Sequence, residues 1–285
     1  MKVSVIVLTY NRAHLVTETI NSILNQTFKD FELIVVDNES IDNTEEVIKS
    51  FTDEGIRYFK HQNNGLIAVN RNYGINKARG EYIAFCDDDD LWMPEKLERQ
   101  MLEFEKDNQA GLVCSNGINF DRHGEHGETI KTKLKDSDFT FESLIWYNSI
   151  ICCSAVVKRR VIDDVGMLDE SPEFFTAEDY ELWLRVAKRY RIKYIDLRLV
   201  KCRTHAGAYN KRGLEAIERN KAVYRKLLNK GIINSNLYQK RINRANRQIL
   251  ILKLLLRYKW VVKCALFLRR VFHPIANVVR KMQET

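Results

Sequence analysis

Glu81-Tyr82-Ile83-Ala84-Phe85-Cys86 runs straight into Asp87-Asp88-Asp89-Asp90. An apolar stretch of strand character ends, and four carboxylates follow at once. Adjacent Asp side chains repel one another, and none is buried unpaired without a large desolvation cost. A cation held at the strand end removes both problems. Hard divalent ions take oxygen ligands, and a site with few carboxylates leaves room for a substrate's phosphates. An acidic surface turn is the competing reading of so short a charge run. The elements that precede the run decide between the two.

Residues 2–8 are an almost continuous β-branched run, the pattern of a strand buried on both faces of a mainly parallel sheet. The polar turn Thr9-Tyr10-Asn11-Arg12 follows, then a helix over 13–25. A second strand, Phe31 to Val36, ends in Asp37-Asn38-Glu39-Ser40. The spacing predicts a second helix from Asp42 to Phe51, with Asp42 as N-cap and Glu45 completing a capping box. Ile56 to Lys60 is a third strand, and a helix after Gly65 reaches Lys77 before Arg79-Gly80 closes it. Strand and helix thus alternate up to Cys86, which predicts a doubly wound, mostly parallel α/β sheet with right-handed crossovers. Such sheets bind ligands at the carboxyl ends of their strands. Thr9–Arg12, Asp37–Ser40 and Asp87–Asp90 all fall there, which favours the ligand site over the surface turn. A glycine-rich dinucleotide fingerprint and a P-loop lysine motif are both missing, which argues against dehydrogenases and P-loop kinases.

The second half is less regular. A helix is expected over Met93–Glu105, with Pro94 at its start, and a strand over Gly111–Asn116. His123-Gly124-Glu125-His126-Gly127-Glu128 reads as a solvated loop, and Ile150 to Val157 as a buried strand. A helix over Glu178–Tyr190 turns Leu182, Trp183, Val186 and Ala187 inward, and strands at Ile192–Ile195 and Leu197–Cys202 complete the sheet. The six cysteines show no CxxC spacing and read as reduced, mostly buried thiols of a cytosolic protein, against a zinc site. The chain begins directly in a strand, with no charged leader or cleavage signal ahead of it. No uncharged apolar run is long enough to span a membrane; the best, Ile249 to Phe272, is interrupted by Lys253, Arg257, Lys259, Lys263, Arg269 and Arg270.

These pieces in this order resemble family-2 glycosyltransferases, the inverting, nucleotide-sugar-dependent enzymes of the GT-A fold. The match runs from Val3 to about His205. It rests on Val-Ile-Val-Leu-Thr-Tyr-Asn-Arg at 5–12, Val-Val-Asp-Asn-Glu-Ser at 35–40, and Asn-Arg-Asn-Tyr-Gly-Ile with Ala-Arg-Gly-Glu-Tyr-Ile-Ala-Phe at 70–85. It continues through the Asp cluster with Leu91-Trp92, and Glu-Asp-x-x-Leu-Trp-Leu-Arg at 178–185. The resemblance implies a GT-A catalytic domain over 1–208, with a nucleotide-binding half at 1–90 and an acceptor half at 91–208. It implies that Thr9, Tyr10 and Arg12 line the nucleotide pocket, with Tyr10 stacking on uracil and Asp37 accepting a hydrogen bond from the base. Arg71 meets the base or the diphosphate. The Asp-x-Asp motif falls on Asp87 and Asp89: Asp87 takes ribose or sugar hydroxyls, and Asp89 holds Mn²⁺ or Mg²⁺. Asp88 is an extra carboxylate in that motif, and Asp90 is assigned to the donor sugar. His205 corresponds to a histidine that completes the metal site in many members. Asp179 corresponds to the catalytic base, with Glu178 beside it. A UDP-sugar donor and a glycan acceptor, lipid-linked or part of a cell-surface polysaccharide, follow as the implied partners.

Charge divides the chain. From Lys211 to Thr285 there are 19 Lys and Arg against 3 Asp and Glu, a balance of +16, while the first 210 residues carry −8. The basic segment, 209–285, reads as helices in which Trp260, Phe267 and Phe272 alternate with cationic stripes. An anionic membrane surface on the cytoplasmic side is the favoured partner. Packing on the catalytic domain or a homo-oligomer contact is the alternative, and nucleic acid is ranked last. A sugar nucleotidyltransferase and a non-catalytic nucleotide-binding or membrane-scaffold protein are the competing functions. The first lacks its glycine-rich basic loop after strand one, and the second leaves Asp87, Asp89 and Asp179 without a purpose.

Overall fold

The computed structural model describes residues 1–204 and 209–257, which divide into a unit ending at Ala208 and a second beginning at Tyr209. In the first unit β1 (Val3–Thr9), α1 (Ala13–Leu24), β2 (Phe31–Asp37), α2 (Thr44–Lys49), β3 (Ile56–Lys60), α3 (Ile67–Lys77) and β4 (Tyr82–Asp87) alternate strictly. They are followed by β5 (Leu91–Trp92), α4 (Lys96–Lys106), β6 (Ala110–Asp121), β7 (Gly124–Glu128), α5 (Phe141–Leu144), β8 (Val156–Lys158), α6 (Arg159–Val165), α7 (Glu178–Arg189) and β9 (Arg191–Arg203). The sheet order is β3-β2-β1-β4-β8-β6-β9-β5, with β7 beside β6. The first four strands are parallel; β8 runs antiparallel to β4 and β6, and β9 runs parallel to β6.

Register puts the polar strand ends side by side. Thr9 pairs with Asp37 across β1 and β2, and Leu8 pairs with Asp87 across β1 and β4. The chain order turns at β1, which has β2 on one side and β4 on the other, so the crevice opens above these residues. The unbroken apolar run of β1 reflects burial on both faces. Val3, Val5 and Val7 pack with Val16, Ile20 and Ile23 of α1 and Leu33 and Val35 of β2. On the other face Ile6 meets α3 at Gly74, where a Cβ would stand 2.6 Å from Ile6 Cγ2. Full burial of each such side chain stabilises the fold by about 1.5–3 kcal/mol, which fixes β1 as the rigid floor of the crevice.

Five expectations need correction. The two strands expected at Ile192–Ile195 and Leu197–Cys202 are one strand, β9, which stays paired to β6 through a register shift between Ser115 and Asn116. The second helix spans only Thr44–Lys49; Asp42 spends its carboxylate on Thr44 and on the Ala13 N–H, while Glu45 pairs with Lys49 and Lys60 and closes no capping box. α4 starts at Lys96 because the preceding backbone is tied elsewhere: the Met93 N–H donates to Leu199 O, and Pro94 O accepts from the Thr27 N–H. Within Ile150–Val157, Cys152–Ser154 form a 3₁₀ turn, closed by Ser154 Oγ on Ile151 O, and pairing begins only at Val156. The stretch read as a loop at 123–128 contains strand β7, whose Gly124 (φ 115°) and Gly127 (φ 120°) carry the irregular pairing with β6.

The second unit pairs α8 (Tyr209–Asn229) with α9 (Ser235–Arg257). Val223, Tyr224, Leu227 and Ile233 are buried there, and the Arg241 guanidinium lies 4.6 Å from the Tyr224 ring centroid. Leu250, Ile251 and Leu254 are exposed on α9. Among the described residues no helix is long and apolar enough to cross a membrane. Trp260, Phe267, Phe272 and the cationic stripes beyond Arg257 lie outside the described residues, as does His205.

Candidate active site

The turns after β1 and β2 are locked to each other. Asn11 and Glu39 both adopt left-handed backbone, at φ 52° and 57°. The Asn11 N–H donates to Ser40 Oγ and the Ile41 N–H to Asn11 Oδ1, both at 2.8 Å. The Ser40 N–H and hydroxyl donate to Asp37 Oδ1 at 2.9 and 2.6 Å, and the Tyr58 hydroxyl donates to Asp37 Oδ2 at 2.5 Å. Asp37 is fully buried and holds these turns in place. Non-glycine residues at positive φ cost of order 1–3 kcal/mol each and persist only where such contacts enforce them. Tyr10, by contrast, is 52% exposed, with its ring open to a stacking partner. Thr9 is buried beside Asp88, close enough to lower that carboxyl's pKa, although among the described residues the Thr9 hydroxyl meets no partner at strict hydrogen-bond geometry.

The four aspartates take four different positions. The Asp90 N–H donates to Asp87 O at 3.2 Å, which curls the run into a turn. The Asp87 side chain stays half exposed, while Asp88, Asp89 and Asp90 are buried. Arg12 Nη1 stands 2.8 Å from both Asp88 Oδ1 and Asp89 Oδ2. Burial lifts the Asp88 pKa to about 6 against the pull of Arg12, and burial followed by the charge of Asp87 lifts Asp90 to about 7. Two buried carboxylates therefore converge on one point of positive charge. An all-oxygen donor set gathered this way has the chemistry a hard divalent ion takes, and here Arg12 Nη1 lies between the two oxygens.

Across the crevice, Arg71 of α3 joins the two halves. Its Nη2 donates to Asp87 at 3.1 Å and its Nη1 to Glu178 Oε1 at 2.5 Å, with the Arg71 and Glu178 side chains both buried. Among the described residues, Glu178 Oε2 is buried without a hydrogen-bond partner. Glu178 and Asp179 open α7, where carboxylates complement the helix dipole. Just before them Thr176 sits at φ 62°, a strained geometry for a β-branched residue. Asp179 is part-exposed yet deep among protein atoms, and burial, then the Glu178 charge, raises its pKa to about 7. A carboxyl poised there exchanges protons near neutrality.

The structure thus gathers Thr9, Arg12, Asp87–Asp90, Arg71, Glu178 and Asp179 around one crevice, with Asp37 buried beneath it. Arg203, overlooked in the sequence, ends β9 and closes the site's floor. Its N–H donates to Asp90 Oδ1 at 2.8 Å, its Nε to Asp89 O at 3.0 Å and its Nη2 to Glu18 at 2.6 Å. The available signal was a lone cation at the end of the last strand. A second cleft, of about 1060 Å³, opens at the opposite end of the strands, lined by Glu81, Lys158, Arg159 and Arg191, and carries none of these residues.

The profile of "Glycosyl transferase family 2" matches residues 4–166. The chain belongs to glycosyltransferase family 2. Its fold is that of the GT-A members. The family-2 chain is 30% identical over 200 residues to the UDP-Glc:alpha-D-GlcNAc-diphosphoundecaprenol beta-1,3-glucosyltransferase WfgD of Escherichia coli, covering 68% of this chain and 73% of that protein. It spans about a third of the length of several curated relatives, uncharacterised glycosyltransferases of Rickettsia species. Among solved structures, S. aureus TarS 1-349 in complex with UDP-GlcNAc superimposes with a TM-score of 0.62 at 21% identity, over 80% of this chain and 67% of that 1-349 chain. The mannosyltransferase PcManGT of Pyrobaculum calidifontis, in complex with GDP-Man and Mn²⁺, gives a TM-score of 0.63 at 19% identity, over 99% of this chain and 79% of that one.

Proposed function

We propose that this family-2 chain is an inverting glycosyltransferase that moves a hexose or N-acetylhexosamine from a UDP-sugar to a hydroxyl of a glycan acceptor. The observation that carries the reading is the placement of two chemically distinct carboxylate groups across one crevice. Asp88 and Asp89, just after β4, gather around the Arg12 guanidinium, while Asp179 stands apart with a pKa of about 7. In this reading Tyr10 stacks on the uracil, and Arg71, bonded to both Asp87 and Glu178, links the donor-side and base-side carboxylates. Asp179 accepts the acceptor's hydroxyl proton as the oxygen bonds to the anomeric carbon; the bond to the diphosphate breaks on the opposite face, and UDP leaves. Mn²⁺ or Mg²⁺ fits at Asp89 and Asp88, with His205 as the remaining assigned ligand, and when bound neutralises charge developing on the diphosphate. The acceptor is read as a lipid-linked glycan, in keeping with the diphosphoundecaprenol acceptor named for the E. coli relative.

UDP release from a panel of UDP-sugars with Mn²⁺, offered either a lipid-diphosphate-linked GlcNAc or the free sugar, tests this. Turnover with one donor that needs the lipid-linked acceptor is expected. The absence of both turnover and stabilisation by UDP would defeat the reading.

The Arg12 contact gives a separate test. Arg12 and the ion claim the same oxygens, so Arg12→Gln is expected to tighten Mn²⁺ binding and Asp89→Asn to weaken it. The Arg12 side chain is 40% exposed, and an ion pair that open is worth about 1 kcal/mol or less, so the gain is about fivefold at most. Electron paramagnetic resonance titration of free Mn²⁺ reads it directly; weaker binding in Arg12→Gln would show that the guanidinium is not in the ion's place.

A further inference from the structure

Beneath the crevice, Asp90 meets two cysteines that the proposed transfer does not use. One ligand atom from each of Asp90, Cys153 and Cys202 lies within 4.8 Å of the others. The two sulfurs are 3.8 Å apart, although the residues are 49 positions apart in sequence, which is why no spacing signal announced them. Cys153 follows from the 3₁₀ turn before β8, Cys202 from the end of β9, and Asp90 from the turn after β4. Cys153 and Asp90 are buried, while Cys202 is partly exposed and gives the cluster a path to solvent.

The geometry is that of a chelate. Zinc binds thiolate sulfur at about 2.3 Å in tetrahedral sites, so two thiolates on one ion stand about 3.8 Å apart. The observed sulfur separation needs no rearrangement to meet that figure, whereas a disulfide at about 2.0 Å requires the two side chains to close substantially. Two sulfurs and one carboxylate oxygen make a donor set for a borderline-soft ion and a poor one for Mg²⁺ or Mn²⁺. The surroundings support the ligands. The Trp92 indole N–H donates to Cys153 O at 3.0 Å, and the Arg203 N–H fixes one Asp90 oxygen. Lys96, fully buried and bonded to Gln100 Oε1 at 2.8 Å, has its pKa pushed down to about 7 by burial, and the charge of an ionised Cys153 raises it.

We propose that Cys153, Cys202 and Asp90 form a binding site for a thiophilic divalent cation of the zinc class, distinct from the hard-ion site at Asp88 and Asp89. Binding breaks both S–H bonds; two protons pass to solvent and two metal–sulfur bonds form, with solvent filling the fourth position. Because Asp90 belongs to both the cluster and the crevice, loading this site withdraws the Asp90 carboxylate from the donor pocket. That consequence rests on the glycosyltransferase reading, whereas the binding itself does not.

Co²⁺, added to the full chain freed of metal, reports on the site without any turnover. A near-ultraviolet thiolate-to-cobalt charge-transfer band is expected at one equivalent. It should persist in excess Mg²⁺, disappear in Cys153→Ser and in Cys202→Ser, and survive in Cys114→Ser, a buried thiol on β6. As a measurement that needs no variant, Zn²⁺ should slow alkylation of Cys202 in the wild-type protein at least tenfold, followed by peptide mass spectrometry. A missing band, a band that excess Mg²⁺ abolishes, a band unchanged by both cysteine substitutions, or unslowed Cys202 alkylation would each overturn the proposal.

Discussion

Asp179→Asn is expected to lower glycosyl transfer by at least about 10²–10⁴-fold, the usual contribution of a positioned general base, while UDP binding stays close to that of the wild type. The same substitution should make the protein more stable. The Asp179 pKa rises from an ordinary value of 3.8 to about 7 in the fold, first through burial and then through the charge of Glu178. Between those two values the folded chain keeps a proton that the unfolded chain has released, so stability declines as pH rises through the window. The loss is complete above about pH 7, where the wild type carries a buried carboxylate at its own expense. Asparagine keeps an oxygen for the Tyr180 N–H, which donates to Asp179 Oδ1 at 2.6 Å, and has no charge to bury. The gain in Tm over the wild type should therefore be full above pH 7 and fade toward pH 4. Wild-type kcat/KM should fall as pH drops below about 7, because the base is then protonated. Retained turnover in the variant would remove Asp179 from its role; a loss of turnover with no pH-dependent gain in Tm would show that its pKa is not raised.

Much of the crevice was legible because strand ends carry their own signature. β1 reads as a buried strand since both of its faces are covered, and the polar turns after β1, β2 and β4 stand out against those apolar runs. Parallel register then aligns Thr9 with Asp37 and Leu8 with Asp87, which the sequence implies only through topology. What could not be read is whatever depends on contacts between distant segments. Arg71 and Glu178 are 107 residues apart, and Arg203 reaches Asp89 across 114. Short polar strands were hidden for a different reason: β7 is an exposed edge strand of glycine, glutamate and histidine, so no apolar alternation marks it. Conversely, an apolar run such as Ile150–Val157 signals burial without saying which backbone conformation achieves it, and there a 3₁₀ turn brings Cys153 toward Cys202.

The second large effect belongs to Arg71→Met. Methionine keeps most of the aliphatic volume but leaves Glu178 buried with neither oxygen paired among the described residues, since Oε2 already lacks a partner there. Removing one partner of a buried ion pair typically costs about 3–5 kcal/mol, which corresponds to a fall in Tm of roughly 10 °C. Arg71→Met combined with Glu178→Gln removes the stranded charge along with its partner, so the double variant should recover most of that loss, a coupling that single substitutions cannot reveal. A purely structural role for Arg71 would end there. Its charge also lowers the Asp179 pKa, opposing burial and Glu178. Without it the base titrates higher, so the acid limb of the kcat/KM profile should move above pH 7 in Arg71→Met, with part of the lost activity returning on the alkaline side. An unmoved acid limb would reduce Arg71 to a strut between α3 and α7. A moved limb would identify it as the residue through which the donor-side carboxylate Asp87 and the base-side pair Glu178 and Asp179 share one positive charge.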